Sequence, residues 1–246
     1  RDSGLYTLEN LWFNSDQSDF APHFYKDGIV FISARDRDQF IKRKSMSALH
    51  EDEALLNTFF VNTDFDSTKT KEEQVKLFYS KDLNSNFHDG PIDFYDDDKK
   101  IAFSRNTLED GKPVKDKRGR INLGLYFAEL NENLKLDKLR PFEFNSPDYS
   151  VGHPWVSPDG QLLLFTSDKP GGFGGADIYS CKLENGKWGA PVNLGGFVNT
   201  AGDEFNPTMI NDSILFFASN GHGGFGRLDN FVSKLEAYGF GEAHNM

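Results

Sequence analysis

Short apolar runs that end in phenylalanine recur four times along the chain, each behind a proline. In every copy Asn and then Ser or Thr come first, a polar stretch and Pro follow, and the apolar run closes the unit. The copies are Asn14-Ser15, Pro22 and Ile29-Val30-Phe31; Asn84-Ser85, Pro91 and Ile101-Ala102-Phe103; Asn145-Ser146, Pro154 and Leu163-Leu164-Phe165; and Asn199-Thr200, Pro207 and Leu215-Phe216-Phe217. The Asn-to-Pro separations of 8, 7, 9 and 8 residues indicate one structural unit used repeatedly.

Each copy continues with a further apolar segment. Residues 125–130, 178–183 and 230–235 align closely, and residues 58–61 are a poorer version of the same pattern. A fourth segment, clearest over residues 188–194, leads into the next Asn pair. Four short strands joined by turns are typical of a β-propeller blade, which must stack on its neighbours to bury both faces.

The pattern therefore predicts an all-β chain, a single β-propeller domain over residues 1–246 with four repeats of a four-stranded blade. The blades are expected over about 18–83, 84–144, 145–198 and 199–246, with insertions at 36–57, which reads as partly helical, and at 106–120. Residues 6–11 and 240–246 both have the pattern of an outer strand. We therefore expect a fragment of a longer multidomain protein whose ring has five blades, or alternatively six, with residues 1–17 supplying the outer strand that closes it.

Composition narrows the classes of partner. The formal net charge of −11 disfavours nucleic acid, because an acidic surface repels phosphates. A single cysteine, Cys181, allows no internal disulfide and no thiolate zinc site. No apolar run approaches the roughly 20 residues that span a bilayer, so no membrane-spanning segment is expected.

Several motifs resemble a known family. Ser157-Pro158-Asp159-Gly160, placed before an apolar run, is similar to the WD40-like repeats of TolB-type propellers. Residues 149–154, 171–179 and 220–226 resemble the propellers of Bacteroidetes envelope lipoproteins that also carry an OmpA-like domain, a family with a member in the type IX secretion system. Residues 25–28, 95–98 and 227–230 depart from the family pattern.

The resemblance implies a non-catalytic protein-interaction scaffold that is periplasmic and associated with the outer membrane. Its expected partners are envelope or secretion-system proteins. Peptidoglycan would be reached only through a separate OmpA-like domain that these residues do not contain. The alternative is a carbohydrate- or ligand-binding, or hydrolysing, propeller with an axial pocket lined by aromatic residues and opposed carboxylates.

The chemistry-bearing residues allow two interpretations each. His88 and His153 precede the repeat proline, and His222 lies in a glycine-rich loop; they could form a polar or pH-sensitive contact, or bond to backbone in turns. Asp177 and Asp229 each end a glycine-rich loop, where a carboxylate locks the turn or, alternatively, helps to hold Ca²⁺. We expect the turn in both cases, with no metal and no cofactor.

A basic segment interrupts the acidic chain. Between residues 112 and 120 stand five cations, namely Lys112, Lys115, Lys117, Arg118 and Arg120. They could steer an acidic partner protein or contact anionic envelope polymers, or they could form a mobile hairpin tip. The spacing Gly221-x-Gly223-x-x-Gly226 matches a dinucleotide fingerprint, but it is predicted to join two strands rather than a strand and a helix. Gly-x-Ser-x-Gly and His-Glu-x-x-His are absent from the sequence, so an enzyme is not expected.

Overall fold

The computed structural model describes residues 9–35, 56–78, 83, 89–110, 112–224 and 226–246. Within these ranges the chain forms four antiparallel sheets in a β-propeller arrangement, as predicted. No helix in the described residues is both long enough and apolar enough to cross a membrane.

The four blades follow one another in the chain. Blade 1 contains β1 (Asp19–Tyr25), β2 (Gly28–Ser33), β3 (Asn57–Asn62), the one-turn helix α1 (Lys71–Gln74) and β4 (Lys76–Leu77). Blade 2 contains β5 (Asp89–Tyr95), β6 (Lys100–Asn106), the hairpin strands β7 (Leu108–Glu109) and β8 (Lys112–Pro113), β9 (Leu123–Leu130) and β10 (Leu136–Pro141). Blade 3 contains β11 (Val151–Val156), β12 (Leu162–Ser167), β13 (Asp177–Glu184), β14 (Lys187–Trp188) and β15 (Val192–Asn193). Blade 4 contains β16 (Glu204–Ile210), β17 (Ile214–Ser219), β18 (Asp229–Glu236), β19 (Gly239–Phe240) and β20 (His244–Asn245).

The repeat prolines lie in the first strand of each blade, and these first strands are neighbours in the order β1, β5, β11, β16. The residue before each proline has positive φ: Ala21 (50°), Gly90 (102°), His153 (51°) and Asn206 (50°). At the same place the pairing with the second strand shifts register in all four blades. Proline has no N–H to donate, so an irregular edge strand accommodates it. The Pro of the repeat therefore marks a β-bulge in the inner strand.

The repeat phenylalanines occupy equivalent places in the four sheets. Each is buried and stacks on the aromatic side chain opposite it in the third strand, with centroids 5.8 to 6.0 Å apart. The pairs are Phe31 with Phe59, Phe103 with Tyr126, Phe165 with Tyr179, and Phe217 with Phe231. Such cross-strand pairs stabilise a sheet locally.

Apolar clusters fill the spaces between successive blades. One cluster joins blades 1 and 2 and includes Ile32, Phe94 and Phe103. A second joins blades 2 and 3, and a third joins blades 3 and 4. A fourth cluster covers the other face of blade 1, where Trp12 and Phe13 pack beside Phe31 and Phe59. Since no blade buries both faces alone, the hydrophobic effect holds the wheel together between blades.

Two of the repeat asparagines, Asn145 and Asn199, hold the connection between blades against the third strand of the preceding blade. The side-chain oxygen of Asn145 accepts a hydrogen bond from Leu125 N at 2.9 Å, and its amide nitrogen donates to Leu125 O at 2.8 Å. Asn199 makes the same pair with Ile178 N and O, at 2.7 and 2.9 Å. We call this two-bond contact the amide clamp. It satisfies both backbone groups of one third-strand residue.

Some sequence predictions fall outside the described residues or remain untested. The segment 36–55 and residues 1–8 lie outside them, so the helical character of the insertion and most of the N-terminal outer strand are not described. Residues 9–17, which are described, contain no strand. The number of blades in the full ring and the domain boundaries stay predictions.

Candidate interaction surface

The connections of the propeller divide between its two ends because successive strands are antiparallel. Connections between second and third strands, and those between blades, emerge together at what we call the loop end. Its described residues include 112–122, 168–176, 195–203, 220–224 and 226–228. The short turns between first and second strands form the opposite, turn end, which includes residues 26–27, 96–99, 157–161 and 211–213.

The basic segment lies at the loop end and is organised by one carboxylate. Asp116 accepts hydrogen bonds from the backbone N–H of Arg118 and of Arg120, both at 2.8 Å. Its second oxygen pairs with Arg120 Nε at 2.9 Å. These hydrogen bonds, led by that from the Arg120 backbone, lower the pKa of Asp116 to about 2. The carboxylate is therefore charged at neutral pH, and the segment forms a hydrogen-bonded turn between β8 and β9.

Most of the cations of this segment are free to meet a ligand. In the part of the chain that the structure describes, Lys112, Lys115, Lys117 and Arg118 have no carboxylate partner, whereas Arg120 has Asp116. A cleft of 370 Å³ separates Lys117, Arg118 and Arg120 from the third-blade loop at Gly174 and Gly175. Two unpaired cations, Lys117 and Arg118, thus border a cleft that Asp116, Asp148 and Asp168 also line. Lys112 and Lys115 belong to the same segment of a protein whose net charge is −11.

Exposed aromatic side chains stand on the same end of the wheel. Phe173 and Phe197 are 56% and 62% exposed, although both are large and apolar. They come from neighbouring loops, and the Phe173 ring lies so close to Gly196 that a Cβ there would approach it to 2.9 Å. Leu228, from the fourth-blade loop, is 51% exposed. Exposed apolar groups beside a charged rim are typical of protein-binding surfaces.

The third-blade glycine-rich loop is held by Asp177. This buried carboxylate accepts hydrogen bonds from Phe173 N at 2.6 Å and Gly174 N at 3.2 Å, and from Asn193 Nδ2 at 2.8 Å. A Cβ on Gly174 would collide with the backbone at Thr200, so glycine is required by the close approach of two loops.

The fourth-blade loop is built in the same way. Asp229 accepts a hydrogen bond from Gly226 N at 3.0 Å. This loop joins β17 to β18, so the glycine spacing does not precede a helix and lacks the structure that binds pyrophosphate. Among the described residues no group of three or more His, Cys, Asp or Glu side chains is placed to hold a metal ion.

Of the three candidate histidines the structure describes His153 and His222, and neither is bonded to the basic segment. His88 lies outside the described residues. His153 sits on the inner-strand bulge, where Nδ1 is 2.6 Å from Asn206 Oδ1 in the next blade, and burial lowers the pKa of its imidazole. His222 Nε2 is 2.7 Å from Val198 O, and its ring packs on Phe217 and Phe231. The two described histidines therefore make contacts within the fold.

Sequence reasoning did not identify a polar junction of three inner strands. Asp93 of blade 2 pairs with His23 Nδ1 of blade 1 at 2.8 Å and accepts from Val156 N of blade 3 at 2.6 Å. The carboxylate is only 3% exposed. The repeat placed these residues on inner strands, but no periodicity within one blade could show which side chains meet between blades.

Comparisons with known proteins give structural likeness without close sequence relatives. No protein-family model matches the chain, and no curated protein matches it significantly. Among solved structures, TolB from Acinetobacter baumannii matches at 17% identity and a TM-score of 0.40, over 77% of this chain and 48% of that chain.

Two hydrolases match over more of the chain. A puromycin hydrolase matches at 11% identity and a TM-score of 0.48, over 93% of this chain and 30% of its own. A puromycin-hydrolysing peptidase of Mycobacterium tuberculosis gives 12% identity and a TM-score of 0.49, over 94% and 38%. The chain thus spans less than half the length of these three proteins, and their activities are not assigned to it. The strand order and the packing between sheets show an all-β chain of four antiparallel blades in a β-propeller arrangement.

Proposed function

We propose that this chain is a non-catalytic interaction scaffold that binds an acidic protein segment at its loop end. The observation that carries the proposal is the set of four unpaired cations on one segment of the loop end, two of which border the cleft, on an otherwise acidic molecule. Opposite charges steer a partner towards such a surface and set its orientation. Phe173 and Phe197 supply apolar contacts that charge alone does not give.

We further propose a place for the scaffold in the bacterial cell envelope. The motifs at residues 149–154, 171–179 and 220–226 support a periplasmic, outer-membrane-associated component linked to type IX secretion. A separate OmpA-like domain would provide the link to peptidoglycan. Antibody against this chain should detect it in the outer-membrane fraction of the source cells, and detection only in the cytosolic fraction would contradict this placement.

The binding surface is tested with a defined probe. A fluorescein-labelled peptide of the repeat Glu-Glu-Phe is titrated with the purified chain, and the same peptide with Gln for Glu serves as the uncharged comparison. The acidic peptide should bind more tightly. The double variant Lys117→Glu/Arg118→Glu should weaken its binding roughly tenfold or more, since two attractive contacts become repulsive.

A matched variant separates local from overall charge. Lys182→Glu/Lys234→Glu makes the same change in net charge on the exposed side chains of third strands. It should leave the affinity for the acidic peptide within about twofold. Equal weakening by both double variants would reject the loop end as the binding surface.

A further inference from the structure

A second cleft lies at the turn end, away from the proposed interaction surface. It has a volume of 410 Å³ and opens between the outer parts of blades 2 and 3. We call it the turn-end cleft, and the residues that define it are Tyr95, Phe127 and Arg140 of blade 2 and Asp159, Gly160 and Trp188 of blade 3. Its volume is within the range of about 300–1,000 Å³ typical of small-molecule sites.

The wall of the turn-end cleft is aromatic. Trp188 stacks on Phe127 of the neighbouring blade, with centroids 5.6 Å apart and ring planes at 27°. Tyr95 is buried beside Gly160, where a Cβ would stand 3.4 Å from the tyrosine ring. Together these rings offer a flat apolar surface that suits an aromatic or large aliphatic group.

One buried hydrogen-bond donor in this wall lacks an acceptor. Trp188 is 5% exposed, and its indole Nε1 has no hydrogen-bond partner. An indole N–H can only donate, and a buried donor without a partner costs free energy. Because this nitrogen has almost no accessible surface, a ligand in the cleft contacts the indole ring rather than its N–H.

The charges of the cleft leave one cation and one anion unpaired. Lys100 pairs with Asp96 at 2.8 Å, and Lys138 pairs with Glu129 at 2.9 Å. Two charged groups remain, Arg140 on the blade 2 side and Asp159 on the blade 3 side.

Both remaining charges are fixed in place by neutral neighbours. Among the described residues Arg140 has no carboxylate partner, and its guanidinium lies 5.2 Å from the Phe127 centroid. Asp159 accepts from Ser157 Oγ at 2.5 Å and from Gln161 N at 3.0 Å, and no cation pairs with it. Positive and negative groups therefore face the cleft from opposite blades, above an aromatic wall.

We propose that the turn-end cleft binds an α-amino acid with an aromatic or large aliphatic side chain. Arg140 pairs with the carboxylate. Asp159 pairs with the ammonium group, and the side chain packs on Phe127 and Tyr95. A simple anion fits less well because Asp159 repels it, and a simple cation fits less well because of Arg140.

The test uses L-phenylalanine and two derivatives that each lack one charge. Binding is followed by ¹H–¹⁵N spectra of the whole chain, in which the Trp188 indole N–H is identified by its loss in Trp188→Phe. L-phenylalanine should shift this signal saturably. N-acetyl-L-phenylalanine and L-phenylalaninamide should each bind roughly tenfold more weakly, since each loses one charge-assisted contact.

Two conservative variants should abolish the two preferences separately. Arg140→Gln should remove the preference for phenylalanine over its amide, and Asp159→Asn should remove the preference over the N-acetyl derivative. Lys135→Gln, at an exposed position of the same blade outside the cleft, is the matched control and should leave the affinity unchanged. Arg140→Lys keeps the charge and should retain part of the affinity. It provides a second measurement if Arg140→Gln does not fold.

Several results would overturn the proposal. No saturable shift with phenylalanine up to its solubility limit rejects the site. Equal binding of all three compounds rejects charge recognition. Tighter binding of the N-acetyl derivative would mean that the cleft binds a simple anion and not a zwitterion. Lys117→Glu/Arg118→Glu lies at the loop end and should not alter phenylalanine binding, so the failure of this site and that of the proposed function are distinguishable.

Discussion

Single side chains in the connections between blades determine how one blade is held against the next. The amide clamp shows this best, because Asn145 and Asn199 each satisfy both backbone groups of one residue in the preceding blade. Only an amide has a donor and an acceptor on one short side chain in this geometry. The presence of Asn at positions 145 and 199 thus has a direct physical cause.

The clamp can be tested by an isosteric change. Asn199→Asp removes the donor to Ile178 O and places a carboxylate against that carbonyl, so it should destabilise the chain by roughly 2 kcal/mol. Urea unfolding followed by tryptophan fluorescence measures the change. Asn133→Asp, at an exposed turn, is the control and should stay within about 0.5 kcal/mol of the parent.

The lone cysteine should be chemically silent in the folded protein. Cys181 is 2% exposed, and burial raises the pKa of its thiol to about 12. Because the thiolate is the reactive form, iodoacetamide at pH 8 should leave Cys181 unmodified until urea unfolds the chain. Mass spectrometry before and after unfolding checks this, and rapid labelling of the native protein would contradict the burial.

At the scale of elements, the inner strands are defined by their bulges. All four carry a residue of positive φ immediately before the repeat proline. Glycine and asparagine adopt this conformation readily, whereas β-branched residues do not. The bulge therefore limits which residues can stand before the proline.

Substitution at one bulge isolates the backbone requirement. Asn206→Val should be less stable than Asn206→Gly by about 1–2 kcal/mol, since both remove the contact with His153 but only valine is strained at φ 50°. Thr208→Val, two residues on at an exposed strand position, should cost little. Thermal unfolding of the three variants gives the comparison, and equal stability of Asn206→Val and Asn206→Gly would argue against the bulge.

The basic segment should keep its shape down to unusually low pH. The pKa of Asp116 is lowered to about 2 from an ordinary value of 3.8, so the charged form is favoured by folding. Its hydrogen bonds are fully present above about pH 4 and are lost as pH falls through the lowered value. Amide shifts of Arg118 and Arg120 should titrate with a midpoint near 2, whereas a midpoint near 4 would show that the turn does not hold the carboxylate.

At the scale of the whole molecule, one loop is positively charged whereas the protein as a whole is acidic. The chain has a formal net charge of −11, yet residues 112–120 present four unpaired cations at one end of the wheel. Long-range repulsion of an acidic partner by the body thus competes with local attraction by the loop.

Salt should therefore act on binding at the loop end in a defined direction. Raising the ionic strength to about 1 M shortens the screening length to roughly 3 Å and should weaken the acidic Glu-Glu-Phe peptide severalfold. The uncharged Gln peptide should be almost insensitive to salt. Tighter binding of the acidic peptide at high salt would mean that apolar contacts dominate and that the cations do not attract it.

The sequence predicted the strands of the propeller blades better than the contacts between blades. The repeats located the second and third strands of every blade, and the phenylalanines proved equivalent, because strand pattern and turn chemistry are local. The junction of Asp93 with His23 and Val156 was not predicted, since it joins three blades that are far apart in the chain. The placement of Arg140 opposite Asp159 in the turn-end cleft depends on the same relative position of blades.

Each amide clamp bonds to the preceding sheet. A unit cut at the boundaries of the sequence repeat therefore lacks the asparagine that completes the bonding of its own sheet. A segment cut immediately before Asn199 keeps every strand of its last sheet but leaves the main chain at Ile178 without its two amide bonds. Duplicating or transplanting one unit should succeed more readily when the excised piece ends beyond the next Asn-Ser/Thr pair. Adding units to such a ring would then require junctions inside the connecting loops, after the next Asn-Ser/Thr pair rather than at the end of the last strand.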